Sequence, residues 1–288
     1  MAAETMTVGD VVARTTEFFR GRGIEPARLD AELLLGEALG MNRLQIYLNF
    51  DRPVGAAELE RARELVRRRA RHEPVAYILG RREFLSRQFA VSPAVLIPRP
   101  ETELLVEAAL EELRGRFPGS DGLRVLEFGV GSGAVSVSVL AEEPRARVVA
   151  TEISTAAAEV ARANAERHGV ADRLDIRVQD DFAGIAGPFH ALLANPPYVD
   201  PAELGSMSPD VVRFEPHEAL FAADCGFAAI ARVAAGAPGL LGPGGFVLME
   251  VGAGQAARAA EIAAASGLRV GRIVRDYAGF DRHLLLEA

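Results

Sequence analysis

Two prolines follow a short apolar run in the chain and make a rigid turn there. Residues 191–194 read ALLA, and Asn195, Pro196, Pro197 and Tyr198 follow them. Because proline has no backbone N–H and a fixed φ, neither a helix nor a central strand continues through this segment. The turn presents the side-chain oxygen of Asn195 and the carbonyl oxygen of Pro196 as acceptors, which match the two donors of an –NH2 group. The ring of Tyr198 offers a flat surface to a planar amide or base.

Such a turn suits methyl transfer to a nitrogen atom. An amide or aryl-amine nitrogen is a poor nucleophile because its lone pair is delocalised. Two acceptors that bind both N–H groups can turn the nitrogen toward a tetrahedral geometry, aim its lone pair at an electrophilic methyl group and stabilise the charge that develops. We therefore predict Asn195, Pro196 and Tyr198 as catalytic residues, and these three with Pro197 as the binding site for the acceptor. No general base is evident, and no metal site is expected.

A glycine-rich segment, VLEFGVGSGAVSVSVL, is predicted to form a strand, a tight turn and a helix. The turn, which we expect to bind a cofactor, consists of Gly129, Val130, Gly131, Ser132 and Gly133. Glu152 ends the next predicted strand, 19 residues after Gly133, where ribose hydroxyls would reach an acidic side chain. The spacing G-x-G-x-G, rather than G-x-G-x-x-G, favours a nucleoside with an amino-acid tail, such as S-adenosylmethionine, over a dinucleotide.

Two further acidic residues end the third predicted strand. Asp180 or Asp181 could accept a hydrogen bond from an adenine amino group, or either could simply be a solvated carboxylate. If ALLAN is the fourth strand, Asn195 lies at its carboxyl end beside the first strand, the edge at which open α/β sheets bind ligands. The acceptor turn and the cofactor's reactive group would then be neighbours.

The elements that position these residues alternate between strand and helix. Apolar runs of strand length are RVLEF, RVVATE, LDIRV, ALLAN and FVLMEV, and helix-forming segments such as STAAAEVARANAERHG separate them. This alternation predicts a mostly parallel sheet with helices on both faces. The expected fold class is α/β; a Rossmann-like sheet of seven strands is what the family resemblance described below implies.

The first part of the chain is predicted to be helical. In TVGDVVARTTEFF, the residues at helical spacing are Val8, Val11, Val12, Thr15 and Phe19. We expect a helical domain over 1–75, a linker hairpin over 76–98 and a catalytic domain over 99–288. That the helical domain docks the substrate is what the family resemblance described below implies. The local basic cluster of Arg67, Arg68, Arg69 and Arg71 could be a solvated helix face or a contact surface for RNA or an acidic partner. For Arg99 and Glu101, which adjoin the linker, structural pairing is favoured over the alternative of a catalytic role.

The composition of the chain limits the classes of function that it can have. The chain has 288 residues, a net charge of −8 and a pI of about 5.3, which argues against general nucleic-acid binding. Its single cysteine, Cys225, cannot form an internal disulfide and fits a reducing cytoplasm. No apolar run approaches the roughly 20 residues of a membrane span, and no signal peptide is apparent. We expect a cytoplasmic monomer.

Several segments together resemble one family, the HemK/PrmC peptide chain release factor glutamine methyltransferases. They are GVGSG (129–133), NPPY (195–198), LIPRPETE (96–103), RFEPHEAL (213–220) and the closing RDYAGFDRHLLLEA. The resemblance implies a class I methyltransferase fold and methylation of the side-chain amide nitrogen of the glutamine in the Gly-Gly-Gln motif of release factors. It also implies that residues 129–133, Glu152, Asp181 and Asn195 hold S-adenosylmethionine, which becomes S-adenosylhomocysteine. Residues 195–198 would hold the glutamine.

The resemblance has departures, and other functions stay open. The family usually reads DLGTGSG where this chain has Glu127, Phe128 and Val130, and it usually has aspartate at Glu152. One alternative is an amino-group methyltransferase acting on adenine or guanine in DNA or RNA, since NPPY also occurs in such enzymes. Another is a non-catalytic module that binds a nucleotide or a release factor.

Overall fold

A computed structural model describes residues 6–288. The described chain divides into two compact units. The first unit holds residues 6–80 together with Ser208–Phe214, and the second holds Arg81–Met207 and Glu215–Ala288.

Helices and strands account for most of both units. The helices are α1 (Val8–Arg20), α2 (Ala27–Leu39), α3 (Arg43–Leu48), α4 (Ala56–Arg69), α5 (Val75–Leu79), α6 (Pro100–Arg116), α7 (Ala134–Glu142), α8 (Thr155–Arg167), α9 (Pro209–Phe214), α10 (Ala228–Gly236) and α11 (Ala256–Ala265). The strands are β1 (Arg81–Phe84), β2 (Arg87–Ala90), β3 (Leu123–Phe128), β4 (Ala146–Glu152), β5 (Leu174–Val178), β6 (Phe189–Ala194), β7 (Leu241–Glu250), β8 (Arg269–Arg275) and β9 (Asp281–Glu287). Short 3-10 helices lie at Ala171–Arg173, Pro201–Ser206 and His217–Ala219.

Helix α1 shows how the sequence specifies the first unit. The Thr7 hydroxyl accepts a hydrogen bond from the Asp10 N–H, and the Asp10 carboxylate accepts one from the Thr7 N–H, a capping box that fixes the start of the helix. The predicted apolar stripe is buried against α2 and α3, with Leu35 and Ile46 among its partners. The helical character predicted for this part of the chain is confirmed.

Two arginines of the basic cluster, Arg68 and Arg69, form ion pairs within the first unit. Arg69 is only 4% exposed; its Nε donates to Asp30 Oδ2 at 2.7 Å and its Nη1 to Asp210 Oδ2 at 2.6 Å. Arg68 donates to the carboxylate of Glu73. The prediction of a solvated or partner-binding face was therefore wrong for Arg69, whose position in the sequence does not reveal its two distant acidic partners.

A seven-stranded sheet forms the centre of the second unit. Its strand order is β5-β4-β3-β6-β7-β9-β8; the pairs among β3 to β7 are parallel, and β9 is antiparallel to both β7 and β8. The order reverses between β3 and β6, and this is the point at which sheets of this type bind ligands. The predicted fold class and the predicted place of ALLAN beside the first parallel strand are confirmed.

Helices cover both faces of this sheet. Alternate strand residues face opposite sides, so Val125 joins the core beneath α6 and α7, whereas Leu126 joins the core beneath α10 and α11. Both residues are fully buried. The continuous apolar runs of the sequence follow from this two-sided burial.

The predicted hairpin is present as β1 and β2, which pair in antiparallel fashion. Phe84 and Phe89 extend from it into the core of the second unit. No helix in residues 6–288 is long and apolar enough to cross a membrane.

Candidate functional site

A cavity of about 590 Å³ opens at the carboxyl ends of the central parallel strands. Its lining includes Phe128 from the end of β3, Glu152 from the end of β4, Asp180 after β5 and Asn195 after β6. All of its lining residues belong to the second unit. The volume is typical of a site for a small organic ligand.

The glycine turn forms one wall of the cavity. Gly129, Gly131 and Gly133 have φ values of 75°, 53° and 82°, a region that favours glycine. The N–H groups of Gly129 and Val130 donate to the Thr151 carbonyl, which ties the turn to the end of β4. Four of the five predicted residues, 129–132, line the cavity. Gly133 does not; it caps α7, where an added Cβ would lie 3.3 Å from Ala161.

Glu152, the last residue of β4, is hydrogen-bonded to this turn. Its Oε2 accepts from the Gly131 N–H at 2.9 Å and its Oε1 from the Ser154 N–H at 3.0 Å. Each carboxylate oxygen has a further lone pair, so the side chain can still accept hydroxyl donors from a ligand. Its place in the cavity lining agrees with the predicted position for a ribose-binding acid.

Glu127 is a buried acid beneath the glycine turn. It also lines the cavity, and its Oε2 accepts hydrogen bonds from both the N–H and the hydroxyl of Ser136 on α7. Burial raises the pKa of Glu127 to about 8, against the opposing effect of the bonds from Ser136. The side chain is therefore mostly neutral at pH 7. In the sequence this residue stands out only as a departure from the family motif.

The two aspartates after β5 are placed differently. Asp180 lines the cavity and pairs with Arg232 at 2.6 Å, both side chains being half exposed. Asp181 is absent from the cavity lining, and its Oδ1 accepts from the Ala183 N–H at 3.0 Å. The structure thus brings Asp180 into the site, whereas the Asp181 carboxylate caps its own loop.

Asn195 and Pro197 line the cavity, whereas Pro196 and Tyr198 do not. The Asn195 Nδ2 donates to the Thr102 hydroxyl at 3.0 Å. The Tyr198 hydroxyl donates to Glu250 Oε1 at 3.3 Å, and its backbone carbonyl accepts from Gln255 Nε2 at 2.8 Å. Burial, and then the Glu250 carboxylate, raise the pKa of Tyr198 above its ordinary range, so this phenol stays neutral.

An ion pair that sequence reasoning did not identify borders the cavity. Arg99 lines the cavity and donates to Glu215 Oε1 at 2.6 Å, and the Ile97 N–H donates to the other oxygen of Glu215 at 3.2 Å. The expected structural role of Arg99 has a partner in RFEPHEAL rather than a neighbour in its own segment. Thr102 and Glu250 were also missed, although Thr102 lies within LIPRPETE.

Comparison with known proteins gives two family matches. Residues 10–80 match the PrmC N-terminal domain, and residues 101–212 match the methyltransferase small domain.

Two curated relatives match this chain over most of its length. The release factor glutamine methyltransferase of Chlorobaculum tepidum is 39% identical over 284 residues, covering 96% of each chain. That of Bordetella pertussis is 42% identical over 257 residues, covering 88% of this chain and 93% of the relative. Among solved structures, a methyltransferase from Pyrococcus furiosus matches with a TM-score of 0.51 at 19% identity, covering 76% of this chain and 96% of that one. This last likeness concerns the fold alone.

Proposed function

Because the chain belongs to the release factor glutamine methyltransferase family, we propose that it methylates the side-chain amide nitrogen of the glutamine in the Gly-Gly-Gln motif of release factors. The methyl donor in this proposal is S-adenosylmethionine. Release factors act at the ribosome, so we place the reaction in the cytoplasm.

The residues of the cavity suit this donor. Gly129 and Gly131 leave open space where a Cβ would stand, so a ligand can approach the backbone closely. Glu152 would accept from the ribose hydroxyls, and Asp180 lies at the neighbouring strand end, where an adenine amino group would find an acceptor. The bound donor supplies an electrophilic methyl group on a sulfonium.

Asn195 and Pro196 would hold the acceptor. The Asn195 Nδ2 is taken up by Thr102, so its Oδ1 is the atom left to accept an N–H of the glutamine. The Pro196 carbonyl would accept the second N–H. Two acceptors fixed before the reaction hold the nitrogen in place and stabilise the positive charge that it gains.

The proton balance requires no dedicated base. The nitrogen would form a bond to the methyl carbon while the bond from that carbon to sulfur breaks. The nitrogen would also lose one of its own protons, and S-adenosylhomocysteine would be the second product. A protonated amide nitrogen is strongly acidic, so water can take the proton. Neutral Tyr198, buried against Glu250, is not needed as a base.

The observation that carries the proposal is the position of Asn195 in the same cavity as the glycine turn and Glu152. A methyl-transfer assay with tritiated S-adenosylmethionine tests it. We expect label on a purified release factor and none on a factor whose Gly-Gly-Gln glutamine is replaced by alanine. Label that persists on that variant would show a different acceptor. Label on DNA or RNA would favour the amino-group methyltransferase of nucleic acids instead.

A further inference from the structure

We propose that Thr102 and Glu250 are positioning residues that fix which end of the Asn195 carboxamide faces the acceptor. The proposal rests on the proposed function, because it assumes that Asn195 binds the glutamine amide. The role of the two residues is to keep Asn195 Oδ1, an acceptor, toward the substrate and Nδ2, a donor, away from it.

The direction of the hydrogen bonds carries this inference. Asn195 Nδ2 lies 3.0 Å from Thr102 Oγ1, and Thr102 Oγ1 lies 2.7 Å from Glu250 Oε2. A threonine hydroxyl has one proton, and the Thr102 hydroxyl donates it to Glu250 Oε2. The Thr102 oxygen can therefore only accept from Asn195. Only the nitrogen end of the Asn195 carboxamide can donate a hydrogen bond to the Thr102 oxygen.

Glu250 is well placed to impose this direction. It is the last residue of β7 and is 1% exposed, so its oxygens depend on protein donors. Oε1 accepts from the Tyr198 hydroxyl at 3.3 Å, and His283 Nε2 lies 3.5 Å from Oε2. One buried carboxylate thus contacts the proposed acceptor turn twice, at Asn195 through Thr102 and at Tyr198 directly.

A reversed carboxamide would oppose both of its neighbours. Asn195 Oδ1 would then face the Thr102 oxygen, acceptor against acceptor, and Nδ2 would face an N–H of the glutamine, donor against donor. The oxygen and nitrogen ends have nearly the same shape, so packing alone does not choose between them. The Thr102 hydroxyl, whose proton is donated to Glu250, makes the choice.

Replacement of Thr102 by valine tests the proposal, because valine keeps the branched shape and removes the hydroxyl. In the full-length enzyme with a purified release factor, we expect Thr102→Val to lower kcat at least tenfold. The dissociation constant for S-adenosylhomocysteine should stay close to that of the wild type. The melting temperature should fall in Thr102→Val, because buried Glu250 loses a donor, and Thr102→Ser should restore it. Thr102→Ser, which restores the hydroxyl, should recover most of the turnover.

A double-mutant comparison separates positioning from simple packing. Glu250→Gln allows the chain of hydrogen bonds to reverse, since glutamine can donate to Thr102. Where both residues act through Asn195, their losses should not multiply, and kcat of Thr102→Val/Glu250→Gln should be close to that of the worse single variant. Losses that multiply fully would contradict a shared route through Asn195.

The side-chain amide of Asn195 gives a readout independent of turnover. The chain has four asparagines, so selective 15N labelling gives a simple spectrum that Asn195→Ala assigns. We expect the Asn195 amide protons to exchange more slowly with solvent in the wild type and in Thr102→Ser than in Thr102→Val.

The outcomes distinguish this inference from the proposed function. Full turnover of Thr102→Val beside an inactive Asn195→Ala would overturn the positioning role and leave the function intact. So would a Thr102→Ser variant as impaired as Thr102→Val, or a Thr102→Val variant that loses cofactor binding and turnover in equal measure. Full turnover of Asn195→Ala would instead remove Asn195 from the proposed acceptor site.

Discussion

At the scale of single residues, Asn195 could be predicted as a site residue from the sequence, whereas Glu127 could not. Asn195 was predicted because it ends an apolar strand that was expected to lie beside the glycine turn, and because two prolines after it form a rigid turn. Glu127 forms part of the same cavity but belongs to a buried strand. Its importance comes from surroundings that only the folded chain supplies.

Asn195 is predicted to act mainly on the chemical step. Asn195→Ala removes one aimed acceptor, and the loss of one such preorganised contact typically lowers kcat by about 100- to 1000-fold. Single-turnover methylation of a release factor measures the effect. Asn195→Gln is the matched control, because it keeps the carboxamide but moves it by one methylene. If Asn195→Ala retained most of the turnover, the role assigned to Asn195 Oδ1 would be contradicted.

Glu127 is predicted to make stability depend on pH. Its pKa is raised to about 8 in the folded protein, whereas an unfolded glutamate titrates near 4.3. Between these values the folded state holds a proton that the unfolded state has lost. The contribution of Glu127 to stability is therefore complete below the lower value and is lost as the pH rises through the upper one.

Glu127→Gln tests this dependence, because glutamine resembles the protonated acid and does not titrate. We expect the two proteins to have similar free energies of unfolding at pH 5. Toward pH 8 the Gln variant should gain on the wild type by up to about 1.4 kcal/mol for each pH unit. Urea unfolding at several pH values measures the difference. A difference that does not vary with pH would show that Glu127 keeps an ordinary pKa.

At the scale of elements, local patterns were sufficient for the parallel strands and for the place of β6 beside β3, but not for β8, β9 or several contacts. The apolar runs and the glycine turn predicted β3 to β7 and the reversal beside β3, because strand burial and chain direction are local and topological properties. The contact of Thr102 with Glu250 joins residues 148 positions apart. Nothing in the sequence near either residue encodes such a contact, and the same applies to Arg69 and Asp210.

The junction of β3 and α7 is predicted to require glycine at residue 133. Its φ of 82° disfavours any other residue, and an added Cβ would lie 3.3 Å from Ala161. Gly133→Ala should therefore destabilise the protein by about 1–2 kcal/mol or more and weaken binding of S-adenosylhomocysteine by shifting the turn. Calorimetry measures both effects.

Gly115 provides the control. It lies within α6, without a positive φ and with open space where a Cβ would stand. Gly115→Ala is expected to leave cofactor affinity unchanged and to raise stability by up to about 1 kcal/mol. Equal effects of the two substitutions would mean that the backbone of the turn is not the constraint.

At the scale of the whole molecule, the helical and catalytic units divide the proposed work. Every residue that lines the cavity belongs to the second unit. The first unit, in contrast, contributes no lining residue, and we propose that it helps to dock the release factor. The division does not follow the order of the chain. Ser208–Phe214 belongs to the first unit, although this segment follows the proposed acceptor turn in the sequence.

Removal of residues 1–73 is predicted to separate these two roles. The dissociation constant for S-adenosylhomocysteine should change little, whereas kcat/KM with a whole release factor should fall by at least tenfold. The truncation also removes Arg69, the partner of Asp210, so Asp210→Asn should be included in the truncated chain to avoid an unpaired carboxylate. A short Gly-Gly-Gln peptide serves as the control substrate: its kcat/KM should not depend on residues 1–73, because it has no further surface to dock. Equal losses with the peptide and the whole factor, or a parallel loss of cofactor binding, would show that the helices support the catalytic unit rather than the substrate.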